Sequence, residues 1–96
     1  MHAISRRKSV EFWTTHADAH DALAAWYTAT RTANWRSLQD VRETYRSADA
    51  VGRWTVFNIR GNTYRVIVTI HYNRQKIYIR HVLTHAEYDR GDWKRE

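Results

Sequence analysis

Apolar residues recur along this chain with two different periods, and the change falls just past its midpoint. In the first half the spacing is three or four residues, the repeat of one helix face. Val10, Trp13 and Ala17 follow it, Ser5 stands ahead of them as an N-cap, and a first helix to about His16 is predicted. Met1 to Ile4, before that cap, reads as a short strand. The clearest helix covers about Ala19 to Ala33, where Ala19, Ala22, Leu23, Trp26, Tyr27, Thr30 and Ala33 mark one face and Asp18 offers a cap. Ser37 caps a third, short helix to about Tyr45, with Leu38, Val41 and Tyr45 at helical spacing.

From Arg53 the period becomes two. Arg53 to Ile59 is rich in β-branched and aromatic residues, and Gly61-Asn62 follows as a turn. Thr63 to Tyr72 alternates strictly: Tyr64, Val66, Val68, Ile70 and Tyr72 face one way, and Arg65, Ile67, Thr69 and His71 the other. Asn73-Arg74-Gln75 is a tight polar connection. Lys76 to Leu83 is another strand, with Ile77, Ile79, His81 and Leu83 expected opposite to Lys76, Tyr78, Arg80 and Val82. Short loops between three strands predict an antiparallel meander. Thr84 and Glu87 then fit a capping box that starts a last helical turn, on which His85 and Tyr88 share a face. Helices first and strands afterwards give an α+β fold: a small antiparallel sheet, N-terminal helices packed on one face, the other face open. Residues 1–96 read as one domain.

Composition narrows the function classes. The chain has 96 residues, so its core must come from a few large side chains, which five Trp, six Tyr and two Phe can supply. There is no Cys, which excludes disulfides and thiolate metal sites. The charged start, Ser5-Arg6-Arg7-Lys8, has no apolar run behind it, and no stretch approaches the roughly 20 apolar residues of a membrane span. A cytoplasmic protein with no membrane partner is expected. Lys plus Arg is 16 against 10 acids, a formal net charge of +6, which favours polyanions: nucleic acid, the ribosome or an acidic protein.

Three runs carry a family resemblance. Asn58-Ile59-Arg60-Gly61-Asn62-Thr63-Tyr64-Arg65-Val66, Tyr78-Ile79-Arg80 and Thr84-His85-Ala86-Glu87-Tyr88-Asp89 resemble the characteristic sequence of HigB-type toxins. Upstream, Ala24-Ala25-Trp26-Tyr27, Ala33-Asn34-Trp35 and the Ser37 helix with Ser47-Ala48-Asp49 are similar to the same family, in the same order. The resemblance implies a RelE-like fold and a toxin that cuts messenger RNA on the translating ribosome. It also implies a cognate HigA-like antitoxin with a helix-turn-helix domain, through which alone the toxin would meet DNA.

RNA can be cut without a metal or other cofactor, because its own 2′-hydroxyl attacks the neighbouring phosphate. A protein helps by moving two protons and stabilising the charged phosphorane. The expected catalytic set is Arg65, Arg80, His85 and Tyr88. An Arg suits the phosphorane because its planar fork pairs with two phosphate oxygens. The bland alternative for Arg65 is a solvated strand charge, or a salt bridge to Asp89 or Glu87. Arg80 lies inside a strand, where a long charge needs a reason. His85 is the acid–base candidate because histidine is the side chain suited to proton transfer near neutral pH, with Asp89 placed to orient it, although a local capping hydrogen bond explains it equally. Tyr88 either stacks on a base or packs the last turn. Asn58 and Asn62 flank the hairpin turn as candidate RNA contacts: Asn62 after Gly61 reads mostly as turn chemistry, whereas Asn58, inside a strand, could bind a base or ribose. Arg60, Arg74 and Lys76 lie near strand ends, as phosphate contacts or as a solvated basic rim. His16 and His20 are four apart but straddle a helix break with no third ligand, so no metal site is expected. His71 and His81 read as cross-strand neighbours. The competing functions are a non-catalytic basic RNA- or ribosome-binding module, and a surface serving protein partners alone.

Overall fold

The two periods become two layers. A computed structural model describes residues 1–95; Glu96, the end of the charged tail, lies outside the described residues. The order is β1 (His2–Ile4), α1 (Arg7–Thr15), α2 (His20–Thr32), α3 (Leu38–Thr44), β2 (Asp49–Val51), β3 (Trp54–Ile59), β4 (Tyr64–His71), β5 (Lys76–Thr84) and α4 (His85–Arg90). The five strands form one sheet in the order β1-β5-β4-β3-β2. The pairs among β2, β3, β4 and β5 are antiparallel, whereas β1 joins the edge of β5 in parallel. The expected meander is its centre. The strand β2 was not foreseen, because Asp49-Ala50-Val51 is too short to show a period.

The apolar face of α2 buries Leu23, Trp26 and Thr30, as its spacing predicts. These side chains meet Phe57, Ile59, Val66, Val68, Ile77 and Ile79 from one sheet face, with Trp35 and Val41 closing the side. Burying an aromatic or branched side chain of this size contributes about 1.5–3 kcal/mol each. The Met1 ammonium donates to the carbonyls of Thr30, Arg31 and Ala33, at 3.1, 3.2 and 2.6 Å, and so ties β1 to the last turn of α2.

Two helix starts differ from expectation. Ser5 is not an N-cap: it has φ 71°, its carbonyl accepts from the Lys8 N–H, and Arg6 occupies the cap position of α1. The fully buried residues of α1 are Ser9 and Phe12; Val10 and Trp13 are only partly buried, and Ala17 is exposed in the 3₁₀ turn beyond the helix. Asp18 does not cap α2 either. A 3₁₀ turn, Ala17–Ala19, precedes that helix, and Ala19 is its cap residue. Instead Asp18 accepts from the Tyr64 hydroxyl at 2.6 Å and from Arg60 at 3.1 Å, fastening the helical corner to the β3–β4 turn. Donation of the phenol proton to that carboxylate raises the Tyr64 pKa above its ordinary value. Ser37 does cap α3, accepting from the Asp40 N–H.

Candidate functional site

The second sheet face is where the chemistry-bearing residues gather, and a bulge in β5 decides which ones. Ile67 stands opposite His81, while the next residue, Val68, stands opposite Ile79. Arg80 is the extra residue between them. Strict alternation would leave His81 and Leu83 on the side of Ile77 and Ile79. The bulge instead sets His81 opposite Ile67 and Leu83 opposite Arg65, and turns Val82 to the helical core beside Val66. The expected pairing of His71 with His81 is also corrected, since His71 stands opposite Lys76.

Part of this face is covered. After α4 the chain turns at Gly91 (φ 76°) into a 3₁₀ turn, Asp92–Arg95, which lays Trp93 over Val56 and Ile67. Trp93 stacks on Tyr88 at 5.3 Å and meets Trp54 edge-on at 5.2 Å. Its indole N–H donates to the Tyr88 carbonyl. Tyr88 is therefore a packing residue of this small aromatic cover.

Arg65 sits under that cover with 7% of its surface exposed. One Nη donates to the carbonyls of Asn62 and Tyr64, at 3.0 and 3.3 Å, and the other to the Asn62 side-chain oxygen at 2.6 Å. The guanidinium lies 5.1 Å from the Tyr88 ring centre. A buried cation needs such partners. They are backbone and amide oxygens and a ring face, and neither Glu87 nor Asp89 pairs with it. Asn58, directly across from Arg65, completes that end of the face.

The first turn of α4 is fixed by the predicted capping box. Thr84 Oγ1 accepts from the Glu87 N–H at 3.2 Å, and the Glu87 carboxylate accepts from the Thr84 N–H at 2.9 Å. That second bond holds the Glu87 pKa below its ordinary value. His85 is the first residue of the helix; its N–H donates to the Thr63 carbonyl, and Nδ1 lies 2.7 Å from the Asp89 carboxylate. The pair is about half exposed. Asp89 thus orients the imidazole of an exposed residue.

Arg80 lies at the other end. Its Nε donates to Thr69 Oγ1 at 3.1 Å and its guanidinium covers Tyr78 at 5.1 Å. Thr69 is four residues from Arg65 along β4, roughly 13 Å at about 3.3 Å per residue. Arg80 is exposed, and among the described residues its Nη groups have no other partner. It borders an open cleft of about 510 Å³ lined also by Arg53, Trp54, Thr69, Ile70 and His71, with no carboxylate among the described residues of the lining. A second, shallower groove runs from Arg80 past His81 and Leu83 to Lys8, Glu11 and Phe12 of α1. The structure therefore joins Arg65 to Tyr88 and leaves Arg80 and His85 as separate exposed groups. Arg53, Trp54 and Tyr78 were missed in the sequence, where they read as ordinary strand residues.

The remaining candidates scatter. Asn62 holds Arg65, and Arg60 pairs with Asp18. Lys76 begins β5 and Arg74 lies in the exposed connection before it, away from the Asn62 turn. His16 stacks on Phe12 and His20 meets Trp13 and Asp21. Among the described residues no group of three His, Cys, Asp or Glu side chains is placed to hold a metal ion. Nor is any described helix long and apolar enough to cross a membrane.

Comparison with known proteins bears on this face. The family described as HigB_toxin, the RelE-like toxic component of a toxin–antitoxin system, matches residues 19–91. The chain is 26% identical over 93 residues to an mRNA interferase HigB of Escherichia coli O6:H1, covering 94% of this chain and 90% of that one. It is 53% identical over 34 residues to the mRNA interferase toxin HigB of Escherichia coli K12 and to the mRNA interferase HigB of Shigella flexneri, matches that cover 35% of this chain and 33% of each relative. The matched segment runs from the helical corner to the end of α4 and contains the bulge, the Arg65 clamp and the capping box, so the chain belongs to the RelE-like HigB toxins of toxin–antitoxin systems.

Proposed function

We propose that this toxin cleaves messenger RNA on translating ribosomes in the cytoplasm, without a metal. A cognate HigA-like helix-turn-helix antitoxin neutralises it and carries its only link to DNA. The observation that supports this most is Arg80: an exposed guanidinium, steadied at Nε and over Tyr78, beside a cleft with no acid among the described residues that line it. A fork of that kind suits a phosphate whose charge grows in the transition state. Electrostatic help of this sort contributes about 10²–10³ in rate.

The reaction needs no external nucleophile. The 2′-hydroxyl loses its proton and attacks phosphorus, and the 5′-oxygen leaves with a proton, giving a 2′,3′-cyclic phosphate. His85, oriented by Asp89, is the proton-transfer group in this reading. Arg65 acts at one remove, holding Tyr88 and the Asn62 turn. The ribosome is needed because the candidate groups stand apart on an open face, so a second body must press the message against them.

A non-catalytic RNA- or ribosome-binding module is the second reading. It is favoured by the occupation of Arg65 and by the separation of Arg80 from His85. Primer extension on messages from cells expressing the chain separates the two. The enzyme reading expects new 5′ ends within translated regions, lost on co-expression of the antitoxin and in Arg80→Ala and His85→Ala. Growth arrest with intact messages contradicts it.

A further inference from the structure

The cleft beside Arg80 has more in it than a phosphate requires. Its volume of about 510 Å³ falls in the range of small-molecule sites, about 300–1,000 Å³. Trp54 forms one wall, with the Arg53 guanidinium 4.6 Å from its ring centre. Thr69 and Arg80 form the opposite side, held together at 3.1 Å. His71 lines the cleft as well, its ring edge-on to Tyr78 at 5.2 Å. A flat π surface, a cationic fork and an imidazole thus line one space, with no carboxylate among the described residues around it.

A single nucleotide matches that set: a planar base, an anionic phosphate and a ribose between them. We infer that this cleft is a subsite for one ribonucleotide flanking the cleaved link, its base against Trp54, its phosphate on the Arg80 Nη groups and His71 beside the ribose–phosphate. The inference rests on the reading that this sheet face meets RNA. Stacking on Trp accepts any base, so the subsite adds affinity with little sequence preference.

The test is titration of the isotopically labelled full chain with a mixed-sequence 2′-fluoro hexaribonucleotide, uncleavable because it lacks the 2′-hydroxyl, followed by NMR. Saturable shifts are expected at the Trp54 indole N–H, the His71 ring and the Arg80 Nε–H. Thr69→Val, which removes the anchor of Arg80, weakens binding about threefold to tenfold, the usual range for one hydrogen bond. Trp54→Leu weakens it more than Trp54→Phe; should Trp54→Leu unfold, the comparison of Trp54→Phe with wild type carries the same test. No saturable shift, or shifts confined to Arg6 and the Trp13 and Tyr27 rings that its guanidinium covers, overturns the subsite. The enzyme reading is scored separately: wild-type chain that binds in the cleft yet leaves translated messages whole refutes the enzyme alone. Intact cleavage with silent cleft signals refutes the subsite alone.

Discussion

Two arginines on adjacent strands show how far residue identity carries. Both are strand arginines in the sequence, and both were expected to reach phosphate. Arg65 is buried and saturated by Asn62, Tyr64 and Tyr88, whereas Arg80 is exposed with its fork open. The difference was not legible, because it depends on Trp93 folding back over the sheet, a contact made by a tail that looks merely charged. Arg65→Ala is predicted to cost about 2 kcal/mol of stability, since it removes charge-assisted hydrogen bonds and undercuts Tyr88. Arg80→Gln is predicted to leave the melting temperature within a degree or two and to lower message cleavage about 10²-fold or more. Thermal unfolding by circular dichroism, with cleavage measured on the same samples, checks both.

At the scale of elements, the long helix, the three central strands and the last helical turn were readable because each carries a full period or a capping box. The bulge was not. One extra residue in β5 breaks the alternation of Ile77, Ile79, His81 and Leu83, and nothing in the order Ile79-Arg80-His81-Val82 signals it. Deleting Arg80 restores a regular ladder with His81 and Leu83 still opposite Ile67 and Arg65. The deletion is therefore predicted to fold, with native-like amide shifts in β4, and to lose cleavage; a globally unfolded product contradicts the bulge assignment.

The capping box gives α4 a pH response. The Glu87 pKa is lowered by folding, so its contribution is fully present above the unfolded value near 4.5 and fades as pH falls through the folded value. Amide exchange of residues 85–90 is predicted to quicken in that acidic range, while the β4 core stays protected. In Glu87→Gln the acid dependence should vanish.

On the scale of the molecule, the sheet divides labour between its faces. The helical face buries the core, and the second face carries a small aromatic cover at one end and a basic cleft at the other. Fold class and layer order followed from the switch in period, and the net charge of +6 pointed to a polyanion. Where on the surface that charge acts did not follow, since basic residues are spread through the whole sequence. Binding to single-stranded RNA is predicted to weaken linearly in log affinity against log salt, and Arg80→Gln should make that slope shallower by about 0.7, the loss of one phosphate contact. An unchanged slope would place the phosphate contacts elsewhere.

The most direct measurement is cleavage of a defined message in a purified translation system, with the new 3′ ends analysed chemically. The wild-type chain is predicted to cut only while the message is being translated, leaving 2′,3′-cyclic phosphate ends even with divalent ions held to what the ribosome itself needs. Folded Arg80→Gln should leave the message whole. Cutting by Arg80→Gln at the wild-type rate would contradict the assignment of the open sheet face as the working surface.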